Sequence, residues 1–213
     1  FWIEATILAF SLLSEPNVHV VTNDIVQIEK NSFRIYDGFE SRPLMSFVLL
    51  GDVRREYHHT SIRGIDFSRK LKSDVRGKPI DLSMRMSLVR YNENNYQKNH
   101  NQYNIFLNVH YKTKYKGIPV RFFLGEGISV AEQVPYVEGR ETRRLSGRDS
   151  KLMNYLNVGF DFRLSDLTGQ NSLYNIRLGL ANSHRSGAFK KIKWFNNTQG
   201  GSDFVSLFLE YDF

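Results

Sequence analysis

The sequence has no cysteine, only five prolines and no unbroken apolar run as long as 18 residues. Without cysteine there is no disulfide framework, no thiolate metal site and no cysteine nucleophile. Without a long apolar run there is no helical membrane span. The mean hydropathy of −0.41 does not exclude a membrane β-barrel, whose strands alternate polar and apolar and average to a polar score. A basic stripe is also missing. The formal charge is +7, but the cations are spread along the chain, with no zinc-finger, helix-turn-helix or RNA-recognition signature. Nucleic acid is therefore not an expected partner, whereas lipid phosphate is compatible with the charge. No cofactor and no metal site is expected. What is present is ordinary for a folded chain: 41% hydrophobic, 24% charged and, at 213 residues, long enough to fold without staples. Aromatic residues make up 14%, which suits interfacial girdles.

Residues 1–42 give no clear assignment and are set apart as an N-terminal segment; Phe1–Ser14 is short and apolar, with Glu4 inside it. From residue 43 onward, segments of alternating character recur. They predict strands at Leu44–Leu50, Arg54–Leu71, Ile80–Tyr91, Tyr103–Tyr115, Val120–Ala131, Leu152–Leu167, Leu173–Ala188 and Ser202–Phe213. Several exceed the roughly 9–11 residues that cross a bilayer. Each has one apolar face and one polar or small face. In the last, Val205, Leu207, Leu209, Tyr211 and Phe213 oppose Phe204, Ser206, Phe208, Glu210 and Asp212. A soluble barrel would turn the apolar face inward; a membrane barrel turns it to lipid.

Counted from the C-terminus, the connections alternate long and short: 189–201, 168–172, 132–151, 116–119, 92–102 and 72–79. Long external loops and short periplasmic turns mark bacterial outer-membrane barrels. The ending Leu-Phe-Leu-Glu-Tyr-Asp-Phe213 resembles the terminal strand of Gram-negative outer-membrane β-barrel proteins. That resemblance implies location in the outer membrane and handling by the barrel-assembly machinery. The expected fold is all-β, an eight-stranded antiparallel transmembrane barrel over residues 43–213. Inward Arg85, Asp161, Arg163 and Arg177 are expected to plug its narrow lumen.

Parity then places chemistry. His184 and Ser186 share a face with Ile176, Leu178 and Leu180, and Asp203 shares one with Val205 and Leu207. A serine, a histidine and an acid thus meet on the lipid-facing wall near the external rim, the set required for an activated serine nucleophile. His184-Arg185-Ser186 and Gly201-Ser202-Asp203 resemble the His-x-Ser and glycine-acid motifs of the outer-membrane lipid A 3-O-deacylase family. The resemblance covers about thirty C-terminal residues. It implies an ester hydrolase acting on lipopolysaccharide acyl chains, with Ser186 as nucleophile, His184 as base and Asp203 as orienting acid. The chain departs from the family in having Asp for Glu, Gly187 for Asn and a longer Ser186-to-Asp203 spacing. The alternative is a non-enzymatic structural or lipopolysaccharide-binding barrel.

Arg143, Arg144, Arg185 and Lys190 are the expected contacts for lipid phosphate, as Arg forks suit phosphate. Glu126 falls on a lipid-facing parity; its flanking glycines suggest a bulge that turns it inward or lifts it to the rim. His58 and His59 fall on opposite faces of a predicted strand and make a poor metal pair.

Overall fold

The alternation is realised as strands in the computed structural model, which describes residues 30–43, 47–48, 50–187 and 191–213. Eight strands run β1 Asn31–Glu40, β2 Ser61–Lys72, β3 Ile80–Asn92, β4 Asn101–Tyr115, β5 Ile118–Ala131, β6 Leu152–Arg163, β7 Ile176–Ser186 and β8 Gly201–Asp212. Each pairs antiparallel with the next, and β1 pairs with β8, which closes the barrel. Closure leaves no unpaired edge, a requirement for strands in lipid.

Apolar side chains point outward and stay exposed, among them Ile35, Phe67, Met86, Ile105, Leu107, Leu124, Leu180, Leu207 and Leu209. Arginines, carboxylates, serines and asparagines are buried inside. This is the reverse of a water-soluble barrel. The apolar wall needs lipid, so the chain is an outer-membrane-type β-barrel.

The first strand is not where the sequence pattern put it. Phe47 and Val48 are helical, the rest of Leu44–Phe47 and Leu49 lies outside the described residues, and β1 is Asn31–Glu40. The pattern is obscured because the inward face of β1 carries Ser32, Arg34, Tyr36, Gly38 and Glu40, leaving few aliphatic residues to signal it. β2 begins at Ser61 rather than Arg54, because 54–60 forms a bridge and turns, with His59 left-handed at φ 56°. Thus 41–60 is a long loop, and the alternation of connection lengths extends to the first hairpin. β6 stops at Arg163, and a short helix, α2 (Leu164–Thr168), fills part of the following turn. Phe1–Ser14 and Lys190 lie outside the described residues.

The described residues of loops 41–60, 93–100, 132–151 and 187–200 gather at one end, the external end by the usual asymmetry; 73–79, 116–117 and 164–175 lie at the other. Helix α1, Tyr136–Ser146, rides on loop 132–151. Pro135 precedes it, and Gly147 ends it in a left-handed conformation, donating to the Arg143 carbonyl. Glu138 stands in the first turn and Arg143 and Arg144 in the last, as the helix dipole favours.

The lumen is filled by ion pairs. Glu210 accepts from Arg34 Nε at 2.7 Å, Arg85 Nη2 at 2.9 Å and Arg121 Nη2 at 3.0 Å. Asp161 accepts from Arg121 and Arg177, and Asp212 accepts from Arg177 Nε at 2.7 Å. Arg85, Asp161, Arg163 and Arg177 therefore line the interior as expected, with Arg163 3.8 Å from Asp212. Toward the periplasmic end a cavity of about 160 Å³ remains. Beyond the plug residues its wall carries Lys30, Lys70 and Lys112 but only one further acid, Asp81.

Candidate functional site

The strand register brings the C-terminal polar residues together. His184 lies directly across from Asp203 in the β7–β8 ladder. His184 Nδ1 donates to Asp203 Oδ1 at 3.0 Å. That bond places the ring proton on Nδ1 and leaves Nε2 as the acceptor, the tautomer a general base needs. His184 is about one-fifth exposed and Asp203 is mostly buried. Ser186 is two residues further along the same outward face, roughly 7 Å by strand rise. Among the described residues no hydrogen bond joins its hydroxyl to His184. Such contacts often tighten only when substrate is bound.

Two asparagines complete a polar island on the lipid-facing wall. Asn154 of β6 sits directly across from Ser186, and Asn182 precedes His184 by two residues on the same face. Both are more than nine-tenths buried, and Asn154 Oδ1 and both amide atoms of Asn182 lack a protein partner. Neither stands out in the sequence, since an asparagine on an alternating strand is common. Only the β6–β7 register reveals that Asn154 faces the serine.

Gly187 has its own reason to be glycine. A Cβ there would come within 2.1 Å of Thr198 Oγ1 and 2.3 Å of the Thr198 carbonyl oxygen. The space an asparagine side chain would need is taken by Thr198. An amide next to Ser186 is therefore available from β6 and not from position 187.

Glu126 keeps its outward parity. β5 pairs with β4 and β6 without a register shift through Gly125-Glu126-Gly127, so there is no bulge and the carboxylate is not turned inward. It pairs with Leu156, which in turn pairs with His184. One row of register partners therefore runs Glu126, Leu156, His184, Asp203 around the outer wall.

The expected phosphate contacts are dispersed. Arg185 alternates inward, is 2% exposed and lies 3.2 Å from Glu138 of α1, so its guanidinium is closed to lipid. Its Nη2 also donates to the Lys151 carbonyl at 2.9 Å. Arg143 pairs with Asp149, and Arg144 pairs with Glu141 at 2.8 Å. With Arg140 these two border an open external groove beside Glu56 and His58.

His58 is a clamp rather than a metal ligand. Its Nδ1 lies 2.8 Å from Glu56, and Arg140 donates to its Nε2 at 2.8 Å. Tyr96 and Tyr136 pack against the ring at 4.7 and 5.3 Å. Beneath it, Glu93 accepts from Gln97 Nε2 at 2.8 Å and from the Tyr136 amide at 3.2 Å. Burial pushes the carboxyls of Glu93 and Glu138 above their usual range and lowers His100 to about 4. The lid over the external mouth is thus held by buried polar contacts that parity could not foretell.

Fold and wall together define an eight-stranded outer-membrane β-barrel with a polar island on its outer surface. Among solved structures the chain is similar to the outer membrane enzyme PagL, at 12% identity and a TM-score of 0.53, covering 84% of this chain and 98% of that one. It is also similar to the N-terminal β-barrel domain of Pseudomonas aeruginosa OprF (10% identity, TM-score 0.48, 87% and 98% covered) and to Neisserial surface protein A (13%, 0.46, 87% and 97%). At these identities the likeness is one of fold. No family model and no curated protein matches the sequence.

Proposed function

We propose that the protein hydrolyses an acyl ester of a membrane lipid at its outer wall, with lipid A as the substrate class. The observation that carries this reading is the His184–Asp203 hydrogen bond on a lipid-facing surface beside Ser186. A structural barrel has no need of an oriented imidazole there. In the reaction, Ser186 Oγ attacks the ester carbonyl carbon while His184 Nε2 takes its proton. The carbonyl π pair moves to oxygen, and the Asn154 amide lies across the ladder to donate to that oxyanion. His184 returns the proton to the departing alkoxide, and water then releases the acyl group by the same steps. Asp203 holds the imidazole in the required tautomer and stabilises its protonated form. The groove bordered by Arg140, Arg143 and Arg144 is the place for a lipid phosphate.

The test is mass spectrometry of lipid A after incubation with the refolded barrel in detergent. The expected result is loss of one acyl chain by the wild type and none by Ser186→Ala or His184→Ala. Unchanged lipid A with the wild type would reject the substrate. The second reading, a non-catalytic lipopolysaccharide-binding barrel, is favoured by the missing Ser186–His184 hydrogen bond and predicts retention of lipid without deacylation.

A further inference from the structure

We propose that the periplasmic cavity of the lumen is a binding site for a small phosphate-class oxyanion, independent of any chemistry on the outer wall. The plug carboxylates Glu210, Asp161 and Asp212 are each already engaged by arginine. The remaining wall carries Lys30 and Lys70, together with Lys112, which engages Asp74 at 2.7 Å and Asp81 at 2.9 Å. Positive charge is therefore in excess around a half-open space, a setting that concentrates anions.

Arg121 and Arg177, each 12% exposed, also line the cavity. A ligand made only of acceptor oxygens and carrying negative charge answers these cations, and guanidinium forks match phosphate oxygens. The cavity of about 160 Å³ holds several waters, and so a five-heavy-atom oxyanion. The barrel wall separates it from lipid, so the ligand arrives from the periplasmic water as orthophosphate or a soluble phosphate monoester.

The test is calorimetric titration of sodium phosphate into the barrel refolded in nonionic detergent, in phosphate-free buffer at pH 7.5. One saturable site per chain is expected. The Lys30→Gln/Lys70→Gln double variant changes only the cavity rim and leaves the plug intact. It should keep heat-modifiable gel migration and bind phosphate at least tenfold more weakly. Absence of saturable binding, or wild-type affinity in the double variant, would overturn the proposal. So would equal affinity for chloride or acetate, or binding of short-chain phosphatidic acid in place of inorganic phosphate.

Discussion

At the scale of single residues, the outer-wall island makes sharp demands. If Asn154 donates to an oxyanion, Asn154→Ala should lower kcat by about 10²–10³ with little change in KM, while Ser186→Ala abolishes turnover. Wild-type kcat in Asn154→Ala, measured on an active enzyme, would remove Asn154 from the mechanism and leave the serine assignment standing. A second residue-scale prediction concerns His100, buried against Tyr91 in a ring stack at 4.7 Å. Its folded pKa of about 4 lies below the ordinary 6.5, so the unfolded chain binds the extra proton between those values. Stability is then present above pH 6.5 and lost as pH falls toward 4. The neighbouring Glu93, raised by burial, works in the opposite sense, losing stability as pH rises. His100→Gln should therefore reduce the acid-side loss, by on the order of 2 kcal/mol, read as hydrogen exchange of loop 93–100 at pH 4.5 against pH 7.

At the scale of elements, α1 is docked through a buried carboxylate. Its Glu138 is fully buried against Arg185 and accepts from Ser202 Oγ at 2.9 Å. Removing the carboxylate leaves a buried guanidinium uncompensated, at a cost of about 3–5 kcal/mol. Glu138→Ala should loosen the lid while the strands remain paired. Trypsin cleavage after Arg140, Arg143 and Arg144 should accelerate many-fold, with heat-modifiable migration unchanged; equal cleavage rates would refute the docking role. The elements also show which signals were legible. Strands β3 and β4 are evident because each carries a continuous aliphatic or aromatic outer face, and β5 because Glu126 alone interrupts its own. β1 is hidden because its inward face mixes Ser32 and Gly38 with Arg34, Tyr36 and Glu40, while outward Phe33, Ile35 and Phe39 stand among Asn31 and Asp37, so the strand looks like polar coil.

At the scale of the whole molecule, the barrel is held from inside by charge and from outside by lipid. Glu210 pairs with three arginines at once, so Glu210→Ala should destabilise by about 3–5 kcal/mol. The temperature at which gel mobility shifts should fall clearly below that of the wild type. On the outside, Leu107 faces lipid midway along β4. Leu107→Arg should cost about 2–4 kcal/mol in a bilayer, measured by reversible unfolding from lipid vesicles; a cost near zero would argue against a membrane-embedded wall.

The sequence by itself determined the strand type, the two faces, the loop asymmetry and the outward parity of His184, Ser186 and Asp203, because a period of two and a hairpin count are local properties of the chain. It also placed Arg85, Asp161, Arg163 and Arg177 inside, for the same reason. Tertiary structure alone decided which residues meet. The ladder sets His184 against Asp203 and Asn154 against Ser186 and keeps Glu126 outward without a bulge, and the docking of α1 sets inward Arg185 against Glu138. Those pairings join residues up to 47 positions apart (Arg185 and Glu138). Their partners are fixed by barrel closure and register, which no local pattern encodes.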